Sequence, residues 1–408
     1  MQRSRRLDIA RETPHPAYVV WELTLACDQP CTHCGSRAGD ARARELTTAE
    51  ALGVVKQLAY LGAREVALIG GEAYLHAGFL DIIRALRAAD VRPTMTTGGR
   101  AIDAPLARAM ADAGMVTVSV SLDGTERTHD TMRASPGSFL AATASMDHLR
   151  AVGINVASNI NLNRWNVPDL ESVYEVLLSH GARAWQVQLT VPLGRAADRP
   201  EMLLQPWELL DVLPRVAALK RRAFDDGITI TLGNNLGYFG PDEALLRSLK
   251  PDGDDHWQGC LAGQFVMGIE SDGAVKGCPS LQTSHYVGGN LLDTPVATIW
   301  NDSPELGFTR KRTVEDLWGF CRTCAFAEPC MGGCSFTAHA LFGRPGNNPY
   351  CQFRARTLQK RGERERLVRR QPAPGDPFDN GLYEIVVEPF DAPDPRPDVS
   401  ARLLRVIR

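Results

Sequence analysis

The sequence lacks several features that would each mark a class of protein. It has no run of about 18 apolar residues, the length that a membrane-spanning helix needs. Its formal net charge is only −3, so no overall basic field is present to attract nucleic acid. The first residues, MQRSRRLDIARETPHP, are polar, and they contain no recognisable secretory signal peptide. We therefore predict a cytoplasmic protein that binds neither membranes nor nucleic acid.

Disulfide bonds are also unexpected, because thiols stay reduced in the cytosol. The sequence nevertheless has ten cysteines among 408 residues, which favours metal binding or catalysis. Three of them, Cys27, Cys31 and Cys34, lie in the stretch WELTLACDQPCTHC, directly after a strand-like segment. Three thiols are one fewer than a structural zinc site usually uses, and an odd number leaves one thiol over in a disulfide scheme.

A cofactor with an open coordination position accounts better for three thiols. Three thiolates can hold three irons of a [4Fe–4S] cluster, and the fourth iron then remains free to bind a ligand. The alternative is a zinc knuckle that takes a fourth ligand such as His33.

Strand-like and helix-like segments alternate six times between residues 17 and 190. This rhythm predicts parallel strands with helices outside them. Since six units are fewer than the eight of a complete barrel, we predict an open, partial (β/α)6 barrel in the α/β class, with its active site at the carboxyl ends of the strands. The predicted strands are AYVVWELTL, REVALIG, VRPTMTT, MVTVSVSLDG, INVASNINL and RAWQVQLTV.

The composition changes near residue 255. Strand-like segments shorten, glycine and proline become more frequent, and seven cysteines follow within 92 residues. This pattern predicts a small α+β domain that bound metal stabilises. The predicted divisions are an N-terminal extension (1–16), a barrel with its connecting helix (17–235), a cysteine-rich domain (236–360) and a proline-rich tail (361–408) with one strand-like piece, YEIVVEP.

The cysteine loop resembles the signature of the radical S-adenosylmethionine (SAM) enzymes, which is CxxxCxxC after the first barrel strand. The resemblance implies that Cys27, Cys31 and Cys34 hold a SAM-binding [4Fe–4S] cluster. It also implies that His33 contacts the adenine, at a position where the family usually has an aromatic residue.

The segment IGGEAYL, after the second predicted strand, resembles the GGE motif of the same family. The resemblance implies that Gly70, Gly71 and Glu72 hold the amino group of SAM, and glycine lets the backbone approach a ligand closely. Ala73 stands where the family usually has proline.

Further polar residues follow the later strands, and each has a loop-stabilising hydrogen bond as its alternative role. Ser121 and Asp123 resemble positions that line the ribose and substrate side of the pocket. Arg133, in HDTMR, is a candidate contact for the SAM carboxylate or the substrate. The remaining candidates at this mouth are Thr97, Asn159, Asn161 and Gln188.

The downstream cysteines resemble the SPASM domain, a C-terminal extension of radical SAM enzymes with auxiliary [4Fe–4S] clusters. The resemblance implies a nearer set, Cys260, Cys278 and Cys334. It also implies a fully ligated distal set, consisting of Cys321, Cys324, Cys330 and Cys351. Where several family members have an eighth cysteine, this chain has Asp254, Asp255 and His256. A treble-clef zinc domain is the alternative.

The family resemblance implies that the enzyme cleaves SAM reductively to a 5′-deoxyadenosyl radical, which takes hydrogen from a C–H bond. All ten cysteines are then ligands of three clusters, and no thiol remains to return a hydrogen atom, so oxidative chemistry is favoured.

The predicted substrate is a ribosomally made peptide, with a separate leader-recognition protein and an electron donor such as flavodoxin or ferredoxin. The alternatives are a sugar or tetrapyrrole substrate, formylglycine formation in sulfatases, and a non-catalytic zinc or iron–sulfur protein.

Overall fold

The fold is known from a computed structural model, which describes residues 12–396. The first part of the predicted N-terminal extension and the end of the predicted tail lie outside the described residues. The strands are β1 (Tyr18–Glu22), β2 (Glu65–Ile69), β3 (Arg92–Thr97), β4 (Thr117–Ser121), β5 (Asn155–Leu162), β6 (Ala184–Leu189), β7 (Thr229–Leu232), β8 (Val266–Ile269), β9 (Ala274–Lys276), β10 (Val287–Asn290), β11 (Glu363–Gln371) and β12 (Leu382–Pro389).

Strands β1 to β7 form a continuous parallel sheet in chain order. The six predicted strands are confirmed, and β7 is a seventh strand that the sequence did not predict. Apolar residues at the centres of these strands are buried, as in the EVALI run of β2, because helices cover the outer face of the sheet. The open, partial barrel is therefore confirmed.

The helices that cover the barrel alternate with its strands. Helix α1 begins at a capping box, in which the backbone N–H of Glu50 donates to Thr47 Oγ1 at 3.3 Å and that of Thr47 donates to Glu50 Oε2 at 2.8 Å. The barrel helices are α1 (Thr48–Tyr60), α2 (Phe79–Ala88), α3 (Ala104–Ala113), α4 (Glu126–Arg133), α5 (Ser138–Ala151), α6 (Leu170–Ser179), α7 (Leu209–Asp226) and α8 (Glu243–Arg247).

The cysteine-rich region continues the barrel sheet. Strand β8 pairs in parallel with β1, with Tyr18 opposite Val266, and β9 and β10 follow as antiparallel neighbours. This pairing places the region directly beside the strand that leads into the cysteine loop. Its helices are α9 (Thr283–Tyr286), α10 (Val296–Asp302), α11 (Pro304–Gly307), α12 (Ala327–Cys330), α13 (Ser335–Phe342) and α14 (Gln352–Gln359).

The described part of the predicted tail packs onto the body. The strand-like YEIVVEP lies in β12, which pairs antiparallel with β11. The Gln205 side chain, just before α7, bonds both backbone groups of Leu367 in β11, at 2.6 and 3.2 Å. Among residues 12–396, no helix has the length and apolar character that crossing a membrane requires.

Candidate active site

The three cysteines of the loop after β1 line one cavity of about 480 Å³ at the carboxyl edge of the barrel. The loop folds back on itself, because the backbone N–H of Cys27 donates to Gly39 O at 2.8 Å. The guanidinium of Arg195 also stabilises the loop, because it donates to the carbonyl oxygens of Cys31, at 2.7 Å, and Ala38, at 2.8 Å. The loop therefore presents its thiols in a fixed arrangement.

Two glycines let the segment that directly follows β2 pack closely against this loop. A Cβ added to Gly70 would lie 2.3 Å from Thr24 O, and one added to Gly71 would lie 2.0 Å from Ala26 O. The close approach is used for hydrogen bonding, since Gly71 N–H donates to Thr24 O and Glu72 N–H donates to Ala26 O, both at 2.8 Å. Only glycine fits both positions, which explains this part of the predicted motif.

Glu72 is buried, and its carboxylate faces the cavity. The Thr97 hydroxyl donates to Oε2 at 2.5 Å and the Gly98 N–H donates to Oε1 at 2.7 Å. Burial raises the pKa of Glu72 to about 7 in spite of these hydrogen bonds. Burial disfavours the charged form of this carboxylate, so an ammonium group bound beside it would stabilise that form, and the family resemblance implies this role.

Asp123 and Arg133 form a buried ion pair beside the loop, with Arg133 Nη2 at 2.5 Å from Asp123 Oδ2. Arg133 Nη1 lies 3.7 Å from the sulfur of Cys31, and His33 Nε2 lies 3.2 Å from Asp123 Oδ2. Burial alone would raise the pKa of Asp123, but Arg133 and His33 hold it well below its usual range. Arg133 and His33 line the cavity, whereas Asp123 orients them from behind.

Polar side chains on adjacent strands form an uncharged wall of the cavity. Asn159 pairs in register with Gln186, and Asn161 pairs with Gln188. Side chains two apart on a strand share a face, so all four amides line the same cavity. Ser121 lies opposite Asn159 in register and donates to its Oδ1 at 3.2 Å. We call Asn159, Asn161, Gln186 and Gln188 the amide wall.

Other cavity residues were not found from the sequence. Gln29 lies within the CxxxCxxC loop, and its position between ligands was a usable signal. Three further residues, in β1, in α13 and in the loop between β11 and β12, lie far apart in the chain, and no local pattern marks them: Tyr18, Phe336 and Phe378.

The seven downstream cysteines fall into the two predicted sets. Burial, together with the charges of Cys260 and Cys278, raises the pKa of Cys334 to about 12. Because such charges act over short distances inside a protein, these three thiols lie together. The distal set lines one small separate cavity, which contains Cys321, Cys324, Cys330 and Cys351. Pro279 and Ser280, which follow Cys278, line the cavity of the cysteine loop, so the nearer set adjoins it.

Two of the three residues that stand in place of an eighth cysteine, Asp255 and His256, contact groups outside the nearer set. The ring of His256 lies 6.3 Å from that of Phe239, and Phe239 lines the cavity of the distal set. Asp255 interacts with the ammonium of Lys220.

The residues present fit iron–sulfur clusters and SAM. Burial, with smaller contributions from the charges of Glu72, Cys31 and Cys34, raises the pKa of Cys27 to about 12, so the cationic core of an iron–sulfur cluster would stabilise the thiolate. Buried atoms beside the cavity also lack protein partners, namely both amide atoms of Gln29 and Nδ1 of His33. These atoms are suited to a polar ligand.

Two family models match the chain at these regions. The Radical SAM superfamily model matches residues 21–177, which include the cysteine loop, Glu72 and Arg133. The SPASM model, an iron–sulfur cluster-binding domain, matches residues 260–325. The fold and the site thus define a radical SAM enzyme. More particularly, the chain is a radical SAM enzyme with a SPASM domain, and its cofactors are SAM and [4Fe–4S] clusters.

Curated relatives include proteins with two kinds of activity. An AdoMet-dependent heme synthase from Nitratidesulfovibrio vulgaris is 27% identical, over 85% of this chain and 95% of the relative. The mycofactocin maturase MftC from Mycobacterium tuberculosis is 27% identical, over 82% of this chain and 83% of the relative.

Solved structures share the fold at lower identity. Streptococcus suis SuiB bound to its precursor peptide SuiA has a TM-score of 0.63 at 15% identity, covering 79% of this chain and 72% of that chain. The anSMEcpe structure with bound AdoMet and a peptide has a TM-score of 0.66 at 16% identity, covering 83% and 94%.

Proposed function

We propose that this enzyme oxidises a C–H bond of a peptide substrate during maturation of a ribosomally made peptide. The observation that carries the proposal is the amide wall. Carboxamides offer both donors and acceptors, which are the groups that a peptide backbone requires, and they add no charge. When bound, the SAM-binding cluster supplies the electron that cleaves SAM and generates the hydrogen-abstracting radical.

The charge of the cavity also favours a peptide over a tetrapyrrole. Among the described residues that line it, Arg133 is the single lysine or arginine, and Asp123 holds one edge of its guanidinium, so it could bind at most one further carboxylate. A tetrapyrrole with carboxylate side chains would need cationic partners, for which paired arginines are the usual choice. The similarity to heme synthases keeps a tetrapyrrole as the second candidate.

The chain's own residues would have distinct roles in binding the cluster and SAM. Cys27, Cys31 and Cys34 would hold the SAM-binding cluster, and Glu72, positioned by Thr97, would accept from the amino group of SAM. Arg133 would bind a carboxylate of SAM or substrate, while Ser121 and Asn159 would line the ribose side.

The SPASM cysteines would hold two further clusters. When bound, these clusters would supply an acceptor for the second electron of an oxidation, and Cys260, Cys278 and Cys334 would hold one of them beside the cavity. A flavodoxin or ferredoxin would reduce the SAM-binding cluster, and a separate protein would recognise the peptide leader, both in the cytoplasm.

The test is anaerobic reconstitution followed by incubation with SAM and dithionite. The probes are short peptides encoded beside the gene and, in parallel, iron-coproporphyrin III. We expect a brown protein with about twelve irons per chain. The peptide should lose mass in proportion to the amount of 5′-deoxyadenosine that is formed. Turnover of the porphyrin and of no peptide would establish the second candidate, and a colourless zinc protein inert to SAM would overturn both.

A further inference from the structure

A short aromatic segment, GYFG at residues 237–240, lies between the two SPASM cysteine sets. It pairs with the chain around Cys351, since Gly237 N–H donates to Tyr350 O at 3.1 Å and Gln352 N–H donates to Gly237 O at 2.7 Å. Tyr238 and Phe239 both have positive φ, at 69° and 51°. Bulky residues rarely adopt this conformation, and it persists only where the surrounding contacts fix it.

The side chain of Tyr238 reaches the nearer set. Its hydroxyl oxygen accepts from the backbone N–H of Cys334 at 3.1 Å and from Asn348 Nδ2 at 3.1 Å. The same hydroxyl donates to Asn234 O at 2.6 Å. A Cβ added to the neighbouring Gly333 would lie 3.0 Å from the ring, so the phenol packs closely against the Cys334 segment.

The same residue also reaches the distal set. Its carbonyl oxygen lies 3.7 Å from the sulfur of Cys351. Its ring packs edge-on against Trp257, with centroids 5.2 Å apart, and the indole N–H of Trp257 donates to Cys330 O at 3.1 Å. Two buried aromatic side chains thus connect Cys334 of the nearer set with Cys330 of the distal set.

We propose that Tyr238 and Trp257 are positioning residues that couple the two auxiliary clusters. The inference rests on the proposed assignment of the two cysteine sets. One electron would leave the reduced nearer cluster, which returns from the 1+ to the 2+ state, and would reduce the distal cluster from 2+ to 1+. No proton moves in this step. The hydrogen bonds at Cys334 and Cys330 would hold the two ligand sets at a fixed separation and tune each cluster.

The test uses a chain in which Cys27, Cys31 and Cys34 are replaced by alanine, so that only the SPASM clusters remain. Tyr238→Phe removes one hydroxyl, and Tyr174→Phe is the matched control, because Tyr174 is a buried tyrosine whose hydroxyl donates to Asp226 in the barrel. The measurements are potentiometric titration followed by electron paramagnetic resonance, and freeze-quenched reduction kinetics. A Cys278→Ser variant identifies which signal belongs to the nearer cluster.

In Tyr238→Phe we expect the midpoint potential of the nearer cluster to shift and intercluster transfer to slow by about tenfold or more. Trp257→Phe should instead shift the distal cluster, and it keeps the test open if Tyr238→Phe does not fold. Values equal to those of the Tyr174→Phe control in both variants would overturn the inference. A parent chain that shows no auxiliary-cluster signals would instead overturn the proposed cluster assignment.

Discussion

Arg37, three residues after the last cysteine of the loop, is held by Asp379, 342 residues further along the chain, with Nε 2.9 Å from Oδ1. The other edge of its guanidinium pairs with Asp198, at 2.7 and 2.9 Å. Next to Asp379, the backbone N–H of Phe378 donates to Gly35 O at 3.2 Å, and its ring lines the cavity. The C-terminal segment is therefore part of the active-site wall.

The first prediction tests this attachment. Asp379→Asn should lower the free energy of unfolding by about 1 to 3 kcal/mol, because it weakens a hydrogen-bonded ion pair that is mostly buried. Denaturant unfolding measures the change, and iron release to a chelator should be faster. Asp198→Asn is the control, since the Asp198 side chain is 48% exposed and its loss should cost less than about 1 kcal/mol. Equal effects in both variants would contradict a special role for Asp379.

The second prediction concerns the cysteine loop. Replacing Cys27, Cys31 and Cys34 by alanine should abolish formation of 5′-deoxyadenosine and remove about four irons per chain. The SPASM clusters should remain, because their ligands lie in other segments. Iron analysis and product chromatography measure the two effects, and SAM cleavage that survives the triple change would refute the assignment.

The third prediction separates the two SPASM sets. Cys278→Ser should perturb one cluster signal, and Cys324→Ser should perturb the other, because the two residues belong to different groups of thiols. Paramagnetic resonance of the reduced proteins distinguishes the signals. Loss of the same signal in both variants would mean that the sets are divided differently.

The fourth prediction concerns the buried pair of Asp123 and Arg133. Arg133→Gln removes the guanidinium that pairs with a fully buried carboxylate and should destabilise the protein by about 3 to 5 kcal/mol. Adding Asp123→Asn should recover part of this loss, since the buried charge is then removed. Denaturant unfolding of both single variants and the double variant forms the cycle. Strictly additive losses would show that the two side chains do not interact.

The fifth prediction concerns pH. The buried ring of His129 accepts from the Asp123 N–H at 3.1 Å, and burial, together with Arg133, lowers its pKa from 6.5 to about 3. The unfolded chain therefore binds a proton below pH 6.5 that the folded chain does not, so stability falls as the pH falls. Between pH 7.5 and 5 this group alone should cost about 2 kcal/mol.

His129→Asn isolates that contribution, because asparagine can accept from the same N–H but does not titrate in this range. The variant should lose less stability on acidification than the parent chain. Unfolding curves at both pH values give the difference, and parallel losses would show that His129 is not the group responsible.

The sequence by itself determined the local features of this protein. The six predicted strands are confirmed because their apolar runs are flanked by turn and cap residues, and the Thr47 capping box is a contact between residues three apart. The cysteine loop and Gly70–Glu72 could be singled out because each is a contiguous motif, and their predicted roles come from the family resemblance. Strand β7 was missed because four residues, TITL, carry too weak a pattern.

The tertiary structure alone decided which distant residues meet. Phe378 reaches the cavity through the pairing of β11 with β12, and Tyr238 reaches both cysteine sets through a strained backbone; neither contact leaves a periodic trace in the sequence. The amide wall likewise depends on the register between β5 and β6, which long-range hydrogen bonds set. Local patterns encode local contacts, whereas the substrate side of this site is built from long-range packing.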